Sequence, residues 1–169
     1  MGTFAAVANV TLAPFVAVCA LLVAAGIAKL RDPRATAGAA RAIGLPGGGA
    51  VRLLGGVEVA AATAALVVGG AACLAVAALF GFLTFVALRL HRRAPATPCG
   101  CLGASAAPAS LAHVGLNVVA TILALIAVTQ PAALSRIAAA PLAGAVLVVL
   151  ALCCARLAVL AVELQEVSL

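Results

Sequence analysis

VANVTLAPFVAVCALLVAAGIA occupies residues 7–28, and KLRDPRATAGAARAIGLP follows it at residues 29–46. The fold turns on the contrast between them. No charge occurs in residues 1–28, whereas the second stretch carries Lys29, Arg31, Asp32, Arg34 and Arg41. A helix rises about 1.5 Å per residue and bilayer hydrocarbon is about 30 Å thick, so roughly 20 apolar residues make one crossing. Residues 7–28 meet that length and are expected to form a transmembrane helix. No basic residue precedes the run, so a retained span is expected rather than a cleaved leader, and a lipoprotein reading of Cys19 is disfavoured for the same reason. Beyond it, Asp32 is a good N-cap, and Pro33 falls at the first helical position, where its missing N–H costs nothing. A short interfacial helix is expected at residues 33–43, stopped by Gly44 and Pro46.

The same test extends along the chain. Residues 53–88 contain only Glu58 as a charge, and with Gly69-Gly70 as a turn they give spans at 49–69 and 71–88. Residues 94–135 hold no charge and divide into a proline-marked loop at 94–108 and a span at 110–128. TQPAALSR (129–136) turns the chain into a fifth span at 137–162, and the tail ELQEVSL is short and acidic. Of the 169 residues, 67% are hydrophobic and 8% charged. A soluble domain carries about a quarter charged residues, so this composition cannot cover a soluble surface. The fold class expected is all-α: an integral membrane bundle of about five transmembrane helices, in one domain over residues 1–169.

Charge distribution gives an orientation. Eight of the ten Lys and Arg residues (Lys29, Arg31, Arg34, Arg41, Arg52, Arg89, Arg92 and Arg93) flank the loops after spans one and three. By the positive-inside rule that face is cytoplasmic, with the N-terminus outside. The net charge of +6 is thus accounted for by topology and anionic lipid, not by nucleic acid. No nucleotide fingerprint or phosphate loop is present. GLPGGG (44–49) follows a helix and precedes a span, so it reads as a turn.

Chemistry concentrates in TPCGCLGAS, residues 97–105. Cysteines inside membrane helices act as small apolar residues, the reading given to Cys19, Cys73, Cys153 and Cys154. Cys99 and Cys101 differ, lying in a loop among Pro98, Gly100 and Gly103. The intervening glycine allows the tight backbone that a Cys-x-Cys disulfide needs, and such a bond suits exchange better than stapling. Arg92 and Arg93 nearby favour the nucleophilic thiolate. Two other readings stand beside this one. The thiols are idle, or Cys99, Cys101 and His113, with Cys153 or Cys154 as a fourth ligand, hold zinc or copper(I). Glu58, about nine residues into span two, is costly at that depth and is expected to face the bundle interior. It either fixes packing, with Arg52 or a backbone group as partner, or accepts protons. His113 and Asn117 lie four apart on span four and share a face. They orient a quinone or relay a proton, or else act as interhelical glue.

GIAKLRDPRATAGAARAIGLP, VRLLGGVEVAAA, PCGCLGAS and LAHVGLN, in that order, resemble the MauE branch of the DoxX-like membrane proteins. The resemblance covers roughly residues 20–120. It implies a four-helix core plus one further span, and a role linked to methylamine utilisation. It also implies a thioredoxin-like partner, MauD, acting in disulfide formation during maturation of an extracytoplasmic dehydrogenase. Cys99 and Cys101 match the family's Cys-Gly-Cys; Lys29, Asp32 and Pro33 match its segment after span one; Glu58 matches its span-two glutamate, and His113 and Asn117 its polar pair. Two positions depart from the pattern: Leu102 stands where the family often has Phe, and Leu116 where it often has Arg.

The functional expectation is a thiol–disulfide redox protein of the cell membrane, passing electrons or disulfides between a thioredoxin-like partner and a second carrier. Cys99 and Cys101 would be the exchange pair, with Glu58, His113 and Asn117 handling protons or positioning a quinone, the one candidate cofactor. The alternatives are a non-catalytic scaffold for partner maturation and a Cys/His metal-handling protein.

Overall fold

Backbone in lipid must satisfy its own hydrogen bonds, and an α-helix does so within one segment. Every regular element among the described residues is accordingly a helix. The computed structural model describes residues 2–95, 97, 99 and 110–139. The helices are α1 (Gly2–Arg31), α2 (Arg34–Ala42), α3 (Gly49–Val67), α4 (Ala71–Arg93), α5 (Leu111–Ala127) and α6 (Ala133–Ala139). Three of them hold stretches long and apolar enough to cross a membrane: Thr11–Arg31, Gly49–Val67 and Ala71–Arg93. α5 is apolar but shorter, at 17 residues. The expected span at 137–162 lies, beyond Ala139, outside the described residues, as do Cys101, Cys153, Cys154 and most of the 94–108 loop.

α1 and α4 run on past 28 and 88 into their basic residues. Lys29 and Arg31 occupy the last turn of α1, and His91, Arg92 and Arg93 that of α4. Cations are favoured there by the helix dipole. At the start of α2 the Asp32 side chain accepts a hydrogen bond from the Arg34 N–H at 3.1 Å. Pro33 is already helical (φ −75°, ψ −6°), and its carbonyl accepts from the Ala37 N–H at 2.8 Å. α2 turns Ala37 and Ala39 inward and leaves Arg34 and Arg41 exposed, and Ile43, just past its end, is buried too.

α3 reverses into α4 through Gly69 and Gly70, at φ +70° and +54°. Side-chain-bearing residues rarely adopt that region. A Cβ on Gly69 would also lie 3.0 Å from the Ala132 backbone. The same end is tied by Gln130, whose Nε2 donates to Thr11 Oγ1 at 3.3 Å while its Oε1 accepts from Arg136 Nη1 at 2.9 Å. α1, α3, α4 and α5 thus alternate in direction. They share one core that includes Phe15, Leu22, Val76, Phe80 and Ala124, with Cys19 and Cys73 packed into it. α1 lies mainly against α3, and α4 against α5. Val57, Val67, Leu74, Phe85, Ile122 and Leu125 point outward, an apolar exterior suited to lipid rather than water. Thr63, Thr84 and Thr121 return their hydroxyls to the carbonyls of Val59, Phe80 and Asn117 at 2.8 Å, so none leaves a bare donor.

Candidate functional site

Four polar side chains are buried among the described residues: Lys29, Glu58, His113 and Asn117. They form two separate arrangements. The first rests on two glycines. Gly26 of α1 and Gly55 of α3 face each other so closely that a Cβ on Gly26 would lie 2.6 Å from the Gly55 carbonyl oxygen, and one on Gly55 would lie 2.7 Å from that of Gly26. Small residues permit such approach between membrane helices. One turn away on each helix stand Lys29 and Glu58. Helical side chains lean toward the N-terminus, so the Lys29 stem runs back along α1, its ammonium 3.5 Å from the Ala25 carbonyl oxygen. There it donates to Glu58 Oε2 at 2.8 Å, with the two side chains 1% and 0% exposed.

Lysines near the ends of membrane helices usually extend outward to the interface. Lys29 goes the other way because Glu58 offers it a charge. The partner expected for Glu58, Arg52 or a backbone group, is therefore corrected. Arg52 is exposed, and Lys29 makes the ion pair. Glu58 Oε1, also buried, has no hydrogen-bond partner among the described residues. Lys29 is the site residue that reading along the chain missed, being counted with the loop cations. The available signal was its helical register, which puts it on the face of Leu22, Ala25 and Gly26, all buried.

Cys99 lies at the same end of the bundle. It is 3% exposed and packs with Ala39 of α2, with Ile43 just past its end, and with Leu90 of α4. It also lines a cavity of about 230 Å³ to which Lys29 contributes from α1, Thr36 from α2, Leu54 from α3 and Phe82 from α4. Cys99 and Lys29 thus border one space, although 70 positions separate them in sequence. Cys101, its expected exchange partner, lies outside the described residues.

The second arrangement is local to α5. Ser110 caps the helix, its Oγ accepting from the His113 N–H and lying 3.0 Å from His113 Nδ1. His113 and Asn117 face Leu22 and Phe80 across a cavity of about 30 Å³. The structure therefore keeps together what spacing paired, His113 with Asn117, and places Cys99 at another cavity. Among the described residues no group of three His, Cys, Asp or Glu side chains is placed to hold a metal.

An all-helical fold with an apolar exterior, three helices of crossing length and an ion pair sealed inside defines a membrane helical bundle. The comparisons narrow that class. A family model described as methylamine utilisation protein MauE matches residues 7–130, so the chain belongs to the MauE family. The match takes in Lys29, Glu58, Cys99, His113 and Asn117. No curated protein and no solved structure matches the chain.

Proposed function

We propose that this protein is a membrane thiol–disulfide redox carrier, exchanging electrons between a thioredoxin-like, MauD-like partner and a second carrier during maturation of extracytoplasmic proteins. The placement of Cys99 supports this reading most directly. It begins a Cys-Gly-Cys sequence at the basic end of the bundle, and it borders a cavity shared with Lys29. Membership of a family described by methylamine utilisation supports the maturation context.

A partner thiolate attacks one sulfur of a Cys99–Cys101 disulfide; that bond breaks, and the departing sulfur leaves as a thiolate that takes up a proton. The partner's second thiolate then resolves the mixed disulfide, releasing the other cysteine. Two electrons have entered the pair, and the partner has become a disulfide. The charge bias puts this loop on the cytoplasmic side, so the electron donor would meet the pair there and the second carrier would take the electrons on.

A membrane-impermeant maleimide, applied to intact cells and to inverted vesicles with and without prior reduction, tests the reading. Labelling of Cys101 only after reduction, and only in inverted vesicles, is expected, with Cys99, 3% exposed, labelling more slowly. Cys99→Ser and Cys101→Ser should each abolish client maturation. Full maturation with both serines in place would establish the scaffold reading instead.

A further inference from the structure

The Cys99 cavity has the size, lining and position of a site for the second carrier. We infer that this carrier is a lipid-soluble para-quinone, whose ring enters the cavity between α2, α3 and α4 and meets Cys99 and Lys29 on its walls. This rests on the thiol–disulfide reading above and names the acceptor that reading leaves open.

Size decides between the two cavities. An apolar cavity of about 150 Å³ is enough to take benzene. The Cys99 cavity, at about 230 Å³, has room for a substituted six-membered ring. The His113–Asn117 cavity, at about 30 Å³, has room for water and no more. The positioning role expected of His113 and Asn117 therefore passes to Lys29, and theirs is left to packing. The lining agrees with this occupant. Ligand sites for ring compounds are mostly apolar with a few convergent polar groups. Here Leu54, Phe82, Leu83 and Val86 form greasy wall, and the polar members are Lys29, Thr36 and Cys99. Phe82 lines the cavity and is also 42% exposed on the outer surface, so the space borders the lipid in which a quinone dissolves.

The charge fits too. Two electrons arriving on a quinone develop negative charge on its carbonyl oxygens, and an ammonium fixed beforehand stabilises it without rearrangement. Lys29 is so fixed, held at 2.8 Å by Glu58. Glu58 Oε1, buried with no hydrogen-bond partner among the described residues, offers a resting place for a proton next to that ammonium. In the net step the Cys99 and Cys101 S–H bonds break and an S–S bond forms. Two electrons and two protons pass to the quinone, which leaves as the quinol.

The test uses the purified full chain in lipid nanodiscs, with its cysteines reduced and decyl-benzoquinone added. Disulfide formation is read by a maleimide gel shift, and occupancy by cross-linking with an azido-benzoquinone. Oxidation within minutes and cross-links on α2 or α4 residues of the cavity are expected. Leu54→Trp, which fills the space, should remove the cross-link. The double variant Lys29→Met/Glu58→Met, which leaves no charge unpaired, should slow oxidation at least tenfold. Equal rates in wild type and both variants, or displacement of the azido probe by phospholipid alone, would overturn the inference. A parallel reaction of the disulfide form with reduced thioredoxin separates the two levels. If reduced thioredoxin opens the Cys99–Cys101 disulfide and the quinone does not re-form it, the quinone inference alone fails; if neither reacts, the redox reading fails with it.

Discussion

The two buried polar arrangements are built on opposite principles. Lys29 and Glu58 come from different helices, 29 positions apart, and meet only because Gly26 and Gly55 let α1 and α3 touch backbone to backbone. His113 and Asn117 stand on one helix, and His113 takes Ser110, three residues away, as a partner. The first is a consequence of tertiary structure and depends on the α1–α3 seam staying closed. The second is present as soon as α5 forms. A buried ion pair carries large opposing terms, so it is sensitive to any loss of geometry. Polar side-chain contacts between membrane helices carry small ones.

Removing one charge of the buried pair has the largest expected effect. Lys29→Met alone leaves the Glu58 carboxylate buried and unpaired, and Glu58→Leu alone does the same to the Lys29 ammonium. Each single change is expected to cost about 3–5 kcal/mol, whereas apolar replacement of both partners is often neutral. Unfolding in mixed micelles should therefore show the Lys29→Met/Glu58→Leu protein to be more stable than either single variant. Additive losses would mean that the two side chains do not act as a pair.

The seam itself comes next. A methyl on Gly26 or Gly55 would drive into the opposing carbonyl oxygen at 2.6 or 2.7 Å, and backbone cannot move aside cheaply. Overpacking of this kind costs about 1–3 kcal/mol. Gly56, the neighbour in sequence, meets nothing within 4 Å and makes the control. Gly55→Ala should lower the melting temperature of the detergent-solubilised protein. Gly56→Ala should leave it unchanged or raise it slightly, since alanine is the better helix former by about 1 kcal/mol. Equal effects at the two positions would mean that α1 and α3 are not in close contact.

How much of this was legible along the chain follows from the same distinction. Uncharged runs and glycine turns are local properties, so the helical class and the Gly69-Gly70 reversal could be read from hydropathy and residue type. Asp32 and Pro33 announced the start of α2, because capping is decided within a few residues. The His113–Asn117 face needed only a spacing of four. Lys29 was harder. A lysine after a long apolar run looks like an interfacial anchor, and nothing within its own helix says that Glu58 will pull it inward. The nearness of Cys99 to that lysine depends on α2 folding back against the last turns of α4, a contact with no signature in either segment alone.

The smallest effect is expected at the second arrangement, and it sharpens the contrast most. Asn117 is 9% exposed and borders a cavity of about 30 Å³ along with Leu22 and Phe80. Interhelical polar contacts in membrane bundles average about 0.6 kcal/mol and reach about 1.7 at most. Leucine is close to asparagine in size, leaves no charge behind and adds apolar contact to a wall that is already apolar. Asn117→Leu is therefore expected to change stability by less than about 1 kcal/mol, within the range such contacts show. It should also leave the rate of disulfide formation in the Cys99–Cys101 pair near that of the wild type. A drop in that rate as large as the one produced by removing the Lys29–Glu58 pair would give Asn117 a part in the chemistry. It would also mean that the two cavities work as one, joined through Leu83, which lines both.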